Sequence, residues 1–189
     1  MTERGRWAVV FVLLGVLLAA AGAQAGGGLT PGLAAGGVPL TATVAKVEGL
    51  LGKPSGLFQD PTNPQIYIER WEALCLGARY TPEGAVLALD VWADGGDYCA
   101  AVGGTYAVAG PAGPAINFQS TRADVKRAFG PRPDRVLRAG QFSVLVYDSA
   151  GVGFYIREAG ERRDRVDTIT IFPRHTSPAV WAPRSWAGR

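Results

Sequence analysis

The sequence predicts an α+β protein of two tandem units, each a short helix packed on a three- to four-stranded antiparallel sheet. Three observations predict it. First, the chain repeats itself: Val38 to Pro54 (VPLTATVAKVEGLLGKP) and Ile116 to Pro133 (INFQSTRADVKRAFGPRP) align at an offset of 78 positions (116 − 38). That offset lays Val38 on Ile116, Leu40 on Phe118, Thr43 on Thr121, Val47 on Val125, Leu51 on Phe129 and Gly52 on Gly130. A fixed internal period marks a duplicated supersecondary unit. Second, both copies carry helix punctuation: a threonine cap, an apolar stripe, then Gly and Pro. Third, each copy is followed by short apolar runs separated by turn residues, the signature of antiparallel strands.

From the N-terminus, residues 1–25 read as a secretory signal peptide. Arg4 and Arg6 give the positive start, Trp7 to Ala21 the apolar run, and Ala23-Gln24-Ala25 the small residues before cleavage. The run is short for a span of about 20 apolar residues, and no Cys follows it for lipid attachment. Residues 26–37, rich in Gly, Ala and Pro, read as a flexible leader.

The first unit occupies 38–100. Thr43 caps its helix, Val44, Val47 and Leu51 form the stripe, Gly52 fits C′ and Pro54 stops it. Strands are expected over 66–75, 77–80 and 85–92, with a turn at Thr81-Pro82-Glu83-Gly84. A linker takes 101–115.

The second unit takes 116–173. Thr121 with Asp124 forms a capping box, Val125, Ala128 and Phe129 the stripe, and Gly130 and Pro131 the stop. Strands are expected over 142–147, 152–156 and 166–172. Each unit leaves room for a further strand at its apolar lead-in. Both helices are too short to persist in water without a sheet to pack on. Residues 174–189 read as a disordered tail carrying Trp181 and Trp186.

The formal charge of +3 is divided unevenly. Residues 26–100 hold four basic and eight acidic side chains, net −4; residues 101–189 hold thirteen and seven, net +6. The opposite signs allow the units to complement each other, allow the second unit to dock on an acidic surface, or simply keep both in solution. Cys75 and Cys99 are the two cysteines, and in an oxidising compartment a bond between them would stabilise by roughly 3 kcal/mol.

The capped helix ending in Gly-x-Pro, the tyrosine-bearing strand pair and the closing V-x-x-I-x-I resemble the BamE-like (SmpA/OmlA) superfamily of exported bacterial proteins. In tandem they resemble the β-lactamase inhibitory protein fold. Val47, Leu51, Gly52 and Pro54 carry the resemblance in the first unit; Val125, Phe129, Gly130, Tyr147, Gly151, Phe154 and Val166 to Ile171 carry it in the second. The resemblance implies a helix pair on antiparallel sheet, export, and protein binding without catalysis. The absence of a lipid-attachment Cys departs from the outer-membrane assembly lipoproteins.

Catalytic motifs do not emerge. His175 stands without a second His or a nearby Cys and reads as an exposed histidine. Asp90, Asp94 and Asp97 with Gly95 and Gly96 offer oxygen ligands, but they lack the spacing and closing Glu of the regular calcium loop and read as a solvated turn. Arg157, Arg162, Arg163 and Arg165 are interrupted by acids, which reads as a solvated connection rather than a nucleic-acid patch. No hydrolase elbow or phosphate loop appears. Strand-borne aromatics are usually core, but alternation sends some to the outer face, and Trp71, Trp92 and Tyr155 are the set singled out as partner-binding anchors.

The expectation is therefore an exported, non-catalytic protein-binding module without cofactor or metal, in the form of an inhibitor of an envelope or secreted enzyme. A periplasmic envelope-assembly or scaffold subunit is the alternative, and a small hydrolase or metal-dependent enzyme the second.

Overall fold

A computed structural model of the chain describes residues 28–60, 63–93 and 106–182. Among the described residues there are ten strands: β1 (Ala34–Ala35), β2 (Val38–Pro39), β3 (Gly56–Gln59), β4 (Tyr67–Trp71), β5 (Leu76–Tyr80), β6 (Val86–Trp92), β7 (Arg135–Ala139), β8 (Phe142–Tyr147), β9 (Val152–Arg157) and β10 (Val166–Ile171). Helix α1 spans Val44–Leu51, α2 Arg122–Phe129 and α3 Pro178–Trp181. β1 and β2 form a two-stranded hairpin, and the other eight strands form one antiparallel sheet in the order β3-β4-β5-β6-β10-β9-β8-β7.

The expected fold class is corrected by this topology. The protein is mostly β, with one eight-stranded sheet and a few short helices, not two helix-on-sheet units with a sheet each. The reason lies at the two closing strands. Held apart, β6 and β10 would each leave a row of backbone N–H and C=O groups unpaired beside a buried core. They pair with each other instead, Trp92 opposite Thr168, Val91 opposite Ile169, Asp90 opposite Thr170 and Leu89 opposite Ile171. The chain thus lays down β3 to β6 from one edge to the middle, and β7 to β10 from the other edge to the same seam.

Both long helices start and stop for local reasons. The Thr121 side chain accepts from the Asp124 N–H while the Asp124 carboxylate accepts from the Thr121 N–H at 2.9 Å, a complete capping box. Thr43 accepts from the Lys46 N–H alone, at 3.4 Å. Gly52 (φ 81°, ψ −171°) and Gly130 (φ 114°, ψ 149°) end the helices with positive φ and extended ψ. They are not left-handed helical, as the Gly-Pro punctuation suggests, but sit in a region that glycine alone enters cheaply.

The helices cover one face of the sheet. Val47 of α1 and Val125 and Ala128 of α2 pack into a core with Leu89, Val91, Phe154 and Ile169. Phe129 packs at a tilt against Phe154 and Tyr147 at ring separations of 5.0 and 5.5 Å. The expected leader and linker contribute as well. Leu29 is buried and its N–H donates to Ala107, and Tyr106 is buried with its hydroxyl bound to the Leu74 carbonyl at 2.9 Å.

Two strand expectations and the expected tail shift. The strand expected over 66–75 is β4 and ends at Trp71, and Glu72–Leu74 turn as a 3-10 helix into Cys75. Neither fourth strand of each half-sheet lies at the apolar lead-in; β3 and β7 follow the helices instead. Residues 174–182 are not a loose tail. Ser177 caps α3, whose Trp181 is wholly buried and stacked on Phe172 at 4.3 Å. Residues 183–189 lie outside the described residues.

Candidate functional site

The second face of the sheet carries the candidate site. Alternation along β6 sends Leu89 and Val91 to the helix-covered core and Ala88, Asp90 and Trp92 to the opposite face. At one end of that face α3 lies across Ala88, Val144, Val146 and Phe172 as a strap. The other end is an open cleft of about 550 Å³. Its lining runs across the seam: Ile68 and Arg70 from β4, Gly77 and Arg79 from β5, Asp90 and Trp92 from β6, Asp167 and Thr168 from β10, Tyr155 from β9, and Phe142 and Ala139 from β8 and β7.

A buried polar network forms the floor. Arg79 Nε donates to Asp90 Oδ2 at 2.6 Å, Nη1 to the Trp181 carbonyl at 3.0 Å and Nη2 to the Tyr155 hydroxyl at 3.5 Å. The other Asp90 oxygen accepts from Thr170 Oγ1 at 2.5 Å, across the β6–β10 seam. One guanidinium therefore ties β5, β6, β9 and the α3 strap together. Burial works against the charge on Arg79, but the adjacent Asp90 outweighs it and raises the pKa, so the guanidinium stays charged. Burial raises the Tyr155 pKa, opposed in part by Arg79, and keeps its hydroxyl protonated. Beside them Arg157 binds Asp167 at 2.6 Å and lies over the Phe142 ring at 5.1 Å.

Aromatic walls rise on both sides of this floor. Gly77 makes one of them possible. It is paired with Arg70 across the β4–β5 ladder, and a side-chain carbon there would stand 3.2 Å from the Trp92 ring and 3.3 Å from the Glu69 carbonyl. The bare glycine lets Trp92 lie over β5 and lets Arg70 reach it. The Arg70 guanidinium sits over the Trp92 ring at 5.5 Å and over the Phe58 ring of edge strand β3 at 5.3 Å. Opposite, Phe142 and Tyr155 meet edge-on at 6.4 Å.

Of the three anchors read from the sequence, Trp92 and Tyr155 line this cleft from the two halves of the chain. Trp71 is not part of it. It lies in the helix-side core with its indole N–H on the Gly52 carbonyl at 2.9 Å, because residue 71 falls on the alternate face from Arg70. Sequence reasoning missed Phe142, Arg70, Gly77 and the Arg79–Asp90 pair. The signal for the pair was present as two charges inside otherwise apolar strands, LGARY and VLALDVW.

The other candidates sit elsewhere. His175 is exposed, with φ 59°, and its backbone N–H donates to Asp148. Asp94 and Asp97 lie outside the described residues, and among the described residues no group of three or more His, Cys, Asp or Glu could hold a metal ion. Arg162 and Arg165 donate to backbone carbonyls of Phe118 and Gln119, fastening the β9–β10 connection to the segment before α2. Cys75 is buried and is not a free thiol; Cys99 lies outside the described residues. No helix among the described residues is long and apolar enough to cross a membrane.

No family model and no curated protein matches the chain. A solved structure of a DUF4309 family protein (YjgB) from Bacillus subtilis subsp. subtilis str. 168 is similar at 14% identity and a TM-score of 0.43, over 70% of this chain and 79% of that one.

Proposed function

We propose that this chain is an exported, non-catalytic protein-binding module that takes its partner in the cleft on the open face of the sheet. The observation that carries the reading is the convergence of aromatic walls from both halves of the chain, Trp92 on one side and Phe142 with Tyr155 on the other, over an ion-paired floor. Large rigid rings around a desolvated centre are what binding anchors require, since they bury area with little side-chain entropy to lose. The carboxylates of the floor are spent on Arg79, Thr170 and Arg157, which favours holding a shape over moving protons.

An inhibitor of an envelope or secreted enzyme is the specific form of the proposal, and a periplasmic assembly subunit its alternative; the resemblance to the β-lactamase inhibitory protein fold supports the first. Export rests on the signal-like residues 1–25, and the Cys75–Cys99 bond belongs with it. Mass spectrometry that found two free thiols in exported protein would remove that bond.

The test is affinity capture from an envelope fraction with the wild type and with Trp92→Ala. Capture of one enzyme, inhibited on binding and lost with Trp92→Ala, is expected. Retention of every partner by that variant would contradict the cleft as the binding surface.

A further inference from the structure

We infer that the cleft selects a protein segment carrying an Asp or Glu side chain, which docks on Arg70 beside the rings of Phe58 and Trp92. The inference rests on the cleft being the binding surface and names the chemistry of what enters it.

Some of the charge in the cleft is already paired, and some is still available to a partner. Among the described residues, five charged side chains line the cleft: Arg70, Glu72, Arg79, Asp90 and Asp167. Arg79 and Asp90 neutralise each other at 2.6 Å in a buried site, and Asp167 is neutralised by Arg157 at 2.6 Å. Among the described residues, Arg70 has only the loose pairing with Glu72, at 3.8 Å, with both side chains about half exposed (50% and 52%). Such a pair is worth little in water.

The guanidinium is nevertheless held in place, since its carbon lies over two aromatic rings. A planar guanidinium that stacks through its faces keeps its N–H donors at its edge, in the fork that matches a carboxylate. Gly77 leaves room for the Trp92 ring on which the guanidinium rests. A partner's carboxylate gains a prepositioned bidentate site, and its neighbouring apolar or aromatic residue reaches Trp92 and Phe142.

A displayed library of random dodecapeptides, selected on the intact protein, tests this. Cleft binders are those whose binding is lost with Trp92→Ala. Enrichment of Asp or Glu next to Trp, Phe or Tyr among them is expected. For a selected peptide, Arg70→Met and the peptide's own Glu→Gln change should each weaken binding about tenfold, and together by no more than either alone. Glu72→Gln should tighten binding of the acidic peptide, by freeing Arg70. Cleft binders without acidic enrichment, additive effects of the two changes, or no cleft binder at all would overturn the inference. If partner capture still depended on Trp92, the proposed function would survive that failure; if capture were independent of Trp92, both would fall.

Discussion

Arg79 shows how a single charged residue can organise a face of a sheet. It is buried, bonded to Asp90, Tyr155 and the Trp181 carbonyl, and so joins three strands and the strap. Removing one partner of a buried pair strands the other, at a cost on the order of 3–5 kcal/mol. Arg79→Met should therefore lower unfolding stability by about that much in urea titrations. The double variant Arg79→Met with Asp90→Leu should recover a substantial part, because no uncompensated charge remains. Glu69 is the opposite case. It is buried, its Oε1 accepts from the Tyr80 hydroxyl at 3.0 Å, and its Oε2 has no hydrogen-bond partner among the described residues. Burial raises its pKa above the usual carboxylate value, against the Tyr80 hydrogen bond, which lowers it. The folded state thus holds that proton more tightly than the unfolded chain. Glu69's contribution favours the fold at low pH and is lost as pH rises through the raised pKa. Glu69→Gln should raise stability at neutral pH and remove this part of the pH dependence. A variant no more stable than wild type at pH 7 would contradict the assignment.

At the level of elements, caps explain where the two longer helices begin. The Thr121 box satisfies donors in both directions, whereas Thr43 makes one long hydrogen bond. Thr121→Ala should cost about 1 kcal/mol, and Thr43→Ala clearly less, by chemical denaturation. Both starts were legible in the sequence, since Thr121-x-x-Asp124 and the Gly-Pro stops are local chemistry. The inner strands were legible too, because FSVLVY and VGFYI are apolar runs bounded by turn residues. The edge strands were not. GLFQ and RVLRA are short, and both their faces are partly wet, with Leu57 61% and Val136 54% exposed, so neither shows a clean alternation. Strap α3 was missed because its four residues carry no periodicity; its order comes from Trp181 stacking on Phe172, a contact that sequence spacing does not reveal.

Across the whole molecule, the decisive contact is the β6–β10 seam. It joins residues about 80 positions apart, as Asp90 opposite Thr170 illustrates, and no local signal specifies it. Read unit by unit, the chain suggests two small sheets; paired at the seam, it makes one sheet wide enough to present a cleft between walls drawn from both halves. This is also why Trp92 and Tyr155 could be chosen from the sequence but not brought together, and why Trp71 was grouped with them although it belongs to the other face. The open face is where we propose that a protein partner binds. A photo-crosslinking residue in place of Phe142, in the cleft, and separately in place of exposed Val136, outside its lining, tests this most directly in living cells. Position 142 should yield a discrete crosslinked partner and position 136 none. A partner crosslinked at 136 and absent at 142 would contradict the claim.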